Sequence, residues 1–498
     1  MMETITQAVV RHSWDRPGKV ALTDEKTSLT WLEVKTWMDR AAGWLARLEL
    51  ERGSLVLGWL PNCLEWHLLR FACERAGLFW VPVPTSQGMR ELTSILERTR
   101  PRVLVTKHMF RDHDYSFEAG QLCARLGLDP VRITLPDDGL LDLPGEAPDA
   151  ALELRLEEPA HALPTSGTEG IPKLAVYTLA AACMRGHAQS RLLELSADDV
   201  ILVLSPGTGP ARAAWLAGPF AGSCVVALPK FGSEAALSLA EKVNATMVCG
   251  TPAQLAMLAA KLDNADLSHL RIWYTAGSVV PPTLVEELET RTSGIVISTY
   301  GGSDFGGWSS ADLSSSREVR QNTVGRPRGD TEFQIINDQG TEVDRGEIGE
   351  LVGRGPCAVS DFIGDEGRQA WRDGWFHTGD LARFDPEGNL VIVGRIKEVI
   401  IRGGDKVSPV EIEALLRTHS MVAQVAVIGV SDPVMGERIC AFIVPCDNDA
   451  PPDLEDFRCF LEDKGLARYK CPERVVVLEA MPTVGDKIDR LTLAKLAG

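Results

Sequence analysis

Absences narrow this chain first. Its 11 cysteines include no Cys-x-x-Cys pair, which excludes a zinc ribbon or a thioredoxin-like redox motif. They are scattered through 498 residues and are expected to be buried reduced thiols, as in a cytoplasmic protein. Basic residues are outnumbered, 51 against 69 acidic ones, for a formal net charge of -18. Nucleic acid is therefore not expected as a partner, since it needs a basic face. An acidic total still permits a local basic pocket for a nucleotide. No apolar run is long enough for a membrane span. The opening Met1-Met2-Glu3-Thr4-Ile5 has no basic-then-apolar signal segment, so the chain is expected in the cytoplasm and off the membrane. There is no low-complexity tract and no internal repeat.

What is present is the composition of an ordinary globular protein, 45% hydrophobic and 24% charged. The length allows about three or four units of ordinary domain size. Through residues 1–330 strand-like and helix-like patterns alternate. An amphipathic helix is expected from Ser28 to about Leu48, and another from Leu64 to Gly77, with Gly77 suited to its C-cap. Short apolar runs at 54–60, 79–84, 103–106, 200–204, 223–228, 246–249 and 272–275 read as strands. Alternation of this kind predicts α/β layers with parallel strands. Residues 331–395 change character: short apolar runs separated by Gly, Asp and Asn turns predict an antiparallel β subdomain. Beyond Gly394 a small α+β unit is expected. The boundary is placed at the charged connector Arg395-Ile396-Lys397-Glu398, giving a large domain over 1–395 and a small one over 396–498.

Four stretches carry chemistry. The first is Leu163-Pro164-Thr165-Ser166-Gly167-Thr168-Glu169-Gly170-Ile171-Pro172-Lys173. Its glycines permit a sharp turn that aims N–H groups at an anion, its hydroxyls add donors, and its lysine adds a point charge. It is not a Walker loop, because no Gly-Lys-Ser/Thr closes it. Alone, it reads equally well as a surface turn. The second is Ser298-Thr299-Tyr300-Gly301-Gly302-Ser303-Asp304. Tyr300 offers a flat face for a base or acyl ring, and Asp304 offers hard oxygen ligands for Mg²⁺; the alternative is a plain glycine turn. The third runs from Thr378-Gly379-Asp380 through Gly394-Arg395 to Gly403-Gly404. The carboxylate of Asp380 suits a ribose diol. The fourth is Pro482-Thr483-Val484-Gly485-Asp486-Lys487-Ile488, a lysine on a loop near the C-terminus.

Together, in this order and at this spacing, the four stretches resemble the acyl-adenylate-forming superfamily of acyl-CoA synthetases, adenylation domains and luciferases. The resemblance spans nearly the whole chain. It implies an α/β fold: a large N-terminal domain of stacked layers with a β subdomain, and a small mobile C-terminal domain. It also implies a two-step reaction in which a carboxylic acid and ATP give acyl-AMP and pyrophosphate, and a thiol of coenzyme A or of a carrier protein then takes the acyl group. Carried over to this sequence, Thr165, Ser166, Gly167, Thr168 and Lys173 hold the β- and γ-phosphates. Tyr300, followed by Gly301, stacks on adenine beside Ala276, Gly277 and Ser278. Ser303 touches the α-phosphate and Asp304 holds Mg²⁺. Asp380 binds the ribose with help from Arg395. Lys397 is the hinge, Gly403 and Gly404 border the pantetheine tunnel, and Lys487 reaches the α-phosphate, with Lys495 as the alternative lysine.

Four departures from the family pattern bear on these roles: Glu169 in place of a threonine, Asp304 in place of a glutamate, Asp486 in place of a glycine, and no histidine or aromatic residue in Leu204–Pro210. The last stretch also lacks the aspartate that pairs with an amino-acid ammonium, which disfavours an amino acid as substrate. Pro172-Lys173-Leu174 and Arg402–Lys406 look more like the activators of aryl and alicyclic acids, with Gly207, Thr208 and Gly302 lining the acyl site. The expected activity is an AMP-forming acid–CoA ligase for an aromatic or cyclic acid. Two alternatives stand beside it: an enzyme that loads a separate carrier protein, and a non-catalytic nucleotide-binding relative.

Overall fold

The computed structural model describes residues 2–142, 154–165, 172–205, 207, 209–365, 367–402, 405–447, 451–484 and 487–497. Two large sheets form the body. The nine-stranded sheet runs Arg326–Arg328, Trp308–Ser310, Ile295–Tyr300, Ile272–Ala276, Met247–Gly250, Val200–Val203, Cys224–Ala227, Val20–Thr23, Ser28–Thr30. Its central strands are parallel, as expected of strand–helix alternation, and its two ends turn antiparallel. The seven-stranded sheet runs Asp361–Ile363, Lys173–Thr178, Pro159–Thr165, Phe79–Pro84, Leu55–Leu60, Val103–Lys107, Val131–Leu135.

The period-two alternation of side chains along a strand explains how one run of apolar residues serves two cores. Ile201 and Val203 face the core between the two sheets, while Leu202 and Leu204 face the helices on the outer side. Val56 faces the same central core, and its neighbour Leu57 faces the outer one. Helices Ile5–Asp15, Trp31–Ala46, Leu64–Arg75 and Leu179–Leu192 fill the space between the sheets, packing Trp66, Trp80, Tyr177 and Trp215.

Residues 332–395 form an antiparallel subdomain: Glu332–Ile336 pairs with Gly349–Arg354, which pairs with Trp375–Phe384, and Trp375–Phe384 also pairs with Trp371–Arg372 and Leu390–Arg395. A small C-terminal α+β domain follows, its sheet built on the long hairpin Val422–Asp432/Gly436–Pro445 around Ile400, Val425, Ile439 and Phe457.

Local expectations need three corrections. Ser28–Thr30 is a strand, and the helix starts at Trp31 with Thr30 as its N-cap, closed by a reciprocal bond with Glu33. Gly77 lies one residue past the C-cap Ala76, at φ +65°, where the left-handed turn lets Leu78 N–H reach the Cys73 carbonyl. The cysteines are all free, but Cys446 and Cys459 are exposed on the C-terminal domain rather than buried. No helix among the described residues is long and apolar enough to cross a membrane.

Candidate active site

Three of the four stretches converge on the C-terminal ends of the nine-stranded sheet's parallel strands. Ala276 ends one strand and pairs with Thr299 on the next, so Ala276-Gly277-Ser278 and Tyr300 leave the sheet side by side. Gly277 takes φ +99°, a backbone open to glycine. The chain after Tyr300 doubles back tightly. A Cβ on Gly301 would come within 2.8 Å of the Gly307 carbonyl oxygen, and the Gly306 N–H closes the turn on the Gly302 carbonyl at 2.9 Å. Glycine at 301 is thus a requirement of close backbone approach.

That loop carries Ser303 and Asp304, and it is held from behind. The Tyr177 hydroxyl donates to the Ser303 carbonyl at 2.6 Å, and Arg185 Nη1 donates to the Gly306 carbonyl at 2.7 Å. In front, Asp304 Oδ2 lies 3.5 Å from Lys173 Nζ. Lys173 opens the strand Lys173–Thr178, and its backbone pairs with Thr165. The two ends of the first stretch are therefore anchored as a hairpin mouth. Ser166, Gly167, Thr168 and Glu169 lie outside the described residues, as do Thr208, Gly403, Gly404 and Asp486.

Asp380 sits on Trp375–Phe384 and is paired in register with Arg395 on Leu390–Arg395. Its Oδ1 accepts from Arg395 Nε at 2.9 Å, and its Oδ2 accepts from the Tyr300 hydroxyl at 2.6 Å. Burial pushes the Asp380 carboxyl above the ordinary range, although Arg395 and Tyr300 pull it down. Burial, then Asp380, pushes the Tyr300 hydroxyl well up, so it stays a donor. The adenine-stacking and ribose-binding candidates are thus one hydrogen-bonded unit.

The remaining candidates lie on other elements. Lys397 is exposed in the short turn Ile396–Glu398. Lys487 begins a two-residue strand paired with Thr483–Val484. Gly207, at φ +54°, leaves no open space: a Cβ there would meet the Trp66 ring at 1.9 Å, and its carbonyl accepts from Trp215 Nε1 at 3.0 Å. A cavity of about 810 Å³ opens elsewhere, beside Met184, His187, Arg191 and Arg328, and holds none of the candidate residues.

Sequence reasoning passed over Tyr177, Arg185 and Arg212. A signal existed for the last: it is the one charge in the apolar run Ala211–Gly222, and Lys, Arg, Asp and Glu are rarely buried unless paired.

A doubly layered α/β body, a β subdomain and a small C-terminal domain, with a Lys–Asp pair and a Tyr–Asp–Arg unit at the strand ends, define an adenylate-forming architecture. Residues 10–361 match the AMP-binding enzyme family and residues 411–486 its C-terminal domain family. The chain belongs to the AMP-binding enzyme family. It is 31% identical to an indoleacetate–CoA ligase of Aromatoleum aromaticum, over 96% of this chain and 95% of that one. It is 30% identical to a salicyl-AMP ligase / salicyl-S-ArCP synthetase of Mycobacterium tuberculosis, over 98% and 88%. The fold matches ATP-bound MatB from Rhodopseudomonas palustris with a TM-score of 0.89 at 24% identity, covering 100% of this chain and 99% of that one.

Proposed function

We propose that this protein is an AMP-forming ligase that activates an aromatic or cyclic carboxylic acid with ATP and passes the acyl group to coenzyme A. The observation that carries the reading is the Tyr300–Asp380–Arg395 unit standing beside the Asp304–Lys173 pair. One half suits a nucleoside and the other its phosphates. The indoleacetate ligase supports the aromatic acid and the CoA acceptor.

In the first step a carboxylate oxygen of the acid bonds to the α-phosphorus. The bond to the β-phosphate breaks, and pyrophosphate leaves with the electron pair. Tyr300 packs on the base, beside Ala276-Gly277-Ser278. Asp380 accepts from the ribose hydroxyls, and Arg395 holds Asp380 in place. Thr165, Ser166, Gly167, Thr168 and Lys173 take the outgoing phosphates, Ser303 the α-phosphate. Lys487 balances the charge that develops on the α-phosphate and acyl oxygens. In the second step the thiol sulfur bonds to the acyl carbon, its proton is released, and AMP departs. A turn of the C-terminal domain about Lys397 withdraws Lys487 and presents Gly403-Gly404 to the pantetheine arm, a gating motion between half-reactions.

Magnesium fits as an ion carried by the nucleotide. Asp304 supplies one carboxylate, and among the described residues no group of three His, Cys, Asp or Glu could hold a metal; Mg²⁺ commonly takes one or two carboxylates plus substrate phosphates. Bound there, it would neutralise phosphate charge.

Acid-dependent exchange of labelled pyrophosphate into ATP tests the first half-reaction; its absence for every acid tried would remove the catalytic reading and leave a nucleotide-binding relative. Consumption of free CoA with the active acid tests the second. The similarity to the salicyl-S-ArCP synthetase favours one other acceptor, a carrier protein's phosphopantetheine thiol. Exchange without CoA consumption, followed by loading of a carrier, would select it. The site of action is proposed as the cytoplasm.

A further inference from the structure

Behind the Tyr300–Gly307 loop lies a group of buried cations that, among the described residues, no carboxylate hydrogen-bonds, although the Glu74 charge attracts Arg70 through space. Arg70, Arg185 and Arg212 are only 3%, 6% and 4% exposed. Each lies over an aromatic face: Arg70 over Trp215 at 4.5 Å, Arg185 over Trp308 at 4.8 Å and Arg212 over Tyr177 at 4.7 Å. Each makes one neutral hydrogen bond, to the carbonyls of Trp215 and Gly306 and to the Tyr177 hydroxyl respectively. Each also buries a nitrogen with no partner: Arg70 Nη2, Arg185 Nε and Arg212 Nε. Glu74, one helical turn from Arg70, is occupied by the N–H and hydroxyl of Thr6 at 3.0 and 2.7 Å. His161 completes the group, stacked on Tyr177, fully buried, both ring nitrogens unpartnered. Burial, then Arg70 and Arg212, hold its ring neutral.

A buried guanidinium without a hydrogen-bonded carboxylate is costly; burial lowers both Arg70 and Arg185, and repulsion from Arg212 adds to it. Burial and then Arg212 bring Arg185 down to about 10. An arrangement of this kind is completed by an incoming anion. The Arg fork fits a carboxylate with two parallel bonds.

The position ties this group to the reaction. Arg212 lies two residues past the Leu204–Pro210 segment, which holds the acyl-site candidates Gly207 and Thr208. Its Nη1 is 3.3 Å from the Tyr177 hydroxyl, which in turn is 2.6 Å from the Ser303 carbonyl beside Asp304. We propose that Arg212, backed by Arg70 and Arg185, is the anion-binding inner end of the acyl site, and that the acid activated here carries a second carboxylate. The inference rests on the acid-activating reading above and narrows its substrate class.

Pyrophosphate exchange on the full-length protein with matched acids tests it. Benzoate is compared with its ortho, meta and para dicarboxylates, and cyclohexanecarboxylate with its dicarboxylates. At least one dicarboxylate is expected to exceed its parent monoacid by about 100-fold or more in kcat/KM, since a site built on buried polar groups rejects an analogue that leaves them unpaired. Arg212→Gln is expected to narrow or invert that preference, and Arg212→Lys to keep part of it. Monoacids activated as well as every dicarboxylate by the unaltered protein would overturn the proposal, whether or not the variants fold. The absence of exchange with every acid tried, while ATP still raises the Tm, marks instead the failure of the acid-activating reading.

Discussion

Lys173 Nζ and Asp304 Oδ2 stand 3.5 Å apart although 131 residues separate them in the chain. Each comes from a backbone held in place by its sheet: Lys173 from a strand end paired with Thr165, Asp304 from the turn closed by Gly302 and Gly306. On the proposed function, a triphosphate and its metal would part the two charges. Lys173→Ala should raise the KM for ATP by roughly tenfold, the usual weight of one lost charged contact. Asp304→Asn should lower the exchange kcat by about 100-fold or more, the scale of one lost electrostatic group at a phosphoryl centre. Asp304→Glu, one methylene longer, should retain most activity. Steady-state exchange at varied ATP and magnesium separates the three, and an Asp304→Asn variant with undiminished kcat would remove Asp304 from the site.

Asp380 gives a binding prediction. Its two oxygens are spoken for by Arg395 Nε and the Tyr300 hydroxyl, yet a carboxylate has about four acceptor positions, so a ribose diol can still be accommodated. Asp380→Asn substitutes a donor for one acceptor and unpairs Arg395. Affinity for AMP should fall by roughly 10- to 100-fold, matching about 1.5–3 kcal/mol for hydrogen bonds to a charged group. Tyr300→Phe removes one bond to Asp380 but keeps the ring, and should cost less than Asp380→Asn. Titration calorimetry with AMP ranks them, and the reverse order would show that Tyr300 acts through its hydroxyl rather than its face.

A stability prediction concerns His67. Burial, with Arg70 adding to it, lowers its pKa from 6.5 to about 3. Its ring stands 3.4 Å from Asn62 Oδ1, and Asn62 donates to the carbonyls of Val203, in the nine-stranded sheet, and of Leu228, just past the strand Cys224–Ala227. The folded state therefore keeps His67 neutral while the unfolded chain protonates it. Stability is fully present above 6.5 and is lost as pH falls between 6.5 and about 3. The slope is about 1.4 kcal/mol per pH unit for one proton, and His161, also lowered by burial, acts in the same direction. Denaturant unfolding at about pH 7 and about pH 5 should show the unaltered protein losing about 2 kcal/mol more than His67→Gln over that interval. Parallel losses in both proteins would mean that His67 is not held neutral.

How much of this could be read from the chain depends on how local the cause is. Tyr300, Gly301 and Asp304 were legible because strand end, tight turn and carboxylate are contiguous in sequence, and the turn itself demands glycine. The strand Ser28–Thr30 was absorbed into a helix because Thr30 is also a good N-cap, and only the neighbouring strand Val20–Thr23 pulls the preceding residues into a sheet. Gly207 was expected to line the acyl site, but Trp66, from a helix some 140 residues earlier, fills the space beside it. The same distance hid the arginine group. Arg70, Arg185 and Arg212 lie on three separate segments, and their unpartnered nitrogens exist only once those segments pack. Burial of the cysteines followed their apolar surroundings, except Cys446 and Cys459, where the small domain exposes what composition alone hides.

The last prediction separates the half-reactions. Lys487 begins the short strand paired with Thr483–Val484. Three residues on, Arg490 binds Glu413 at 2.9 Å and reaches Glu398, beside the expected hinge Lys397, at 3.5 Å. The lysine is thus carried on the same unit as the hinge turn and would move with it. A group that swings away after acyl-AMP forms is needed for that step alone. Lys487→Ala should lower acid-dependent pyrophosphate exchange by about 100-fold or more, yet convert supplied acyl-AMP and CoA to thioester at close to the unaltered rate. Lys495→Ala, on the terminal helix Arg490–Ala497, should leave both steps intact. Equal loss in both half-reactions for Lys487→Ala would place that lysine in the static frame of the site and remove the swing from the mechanism.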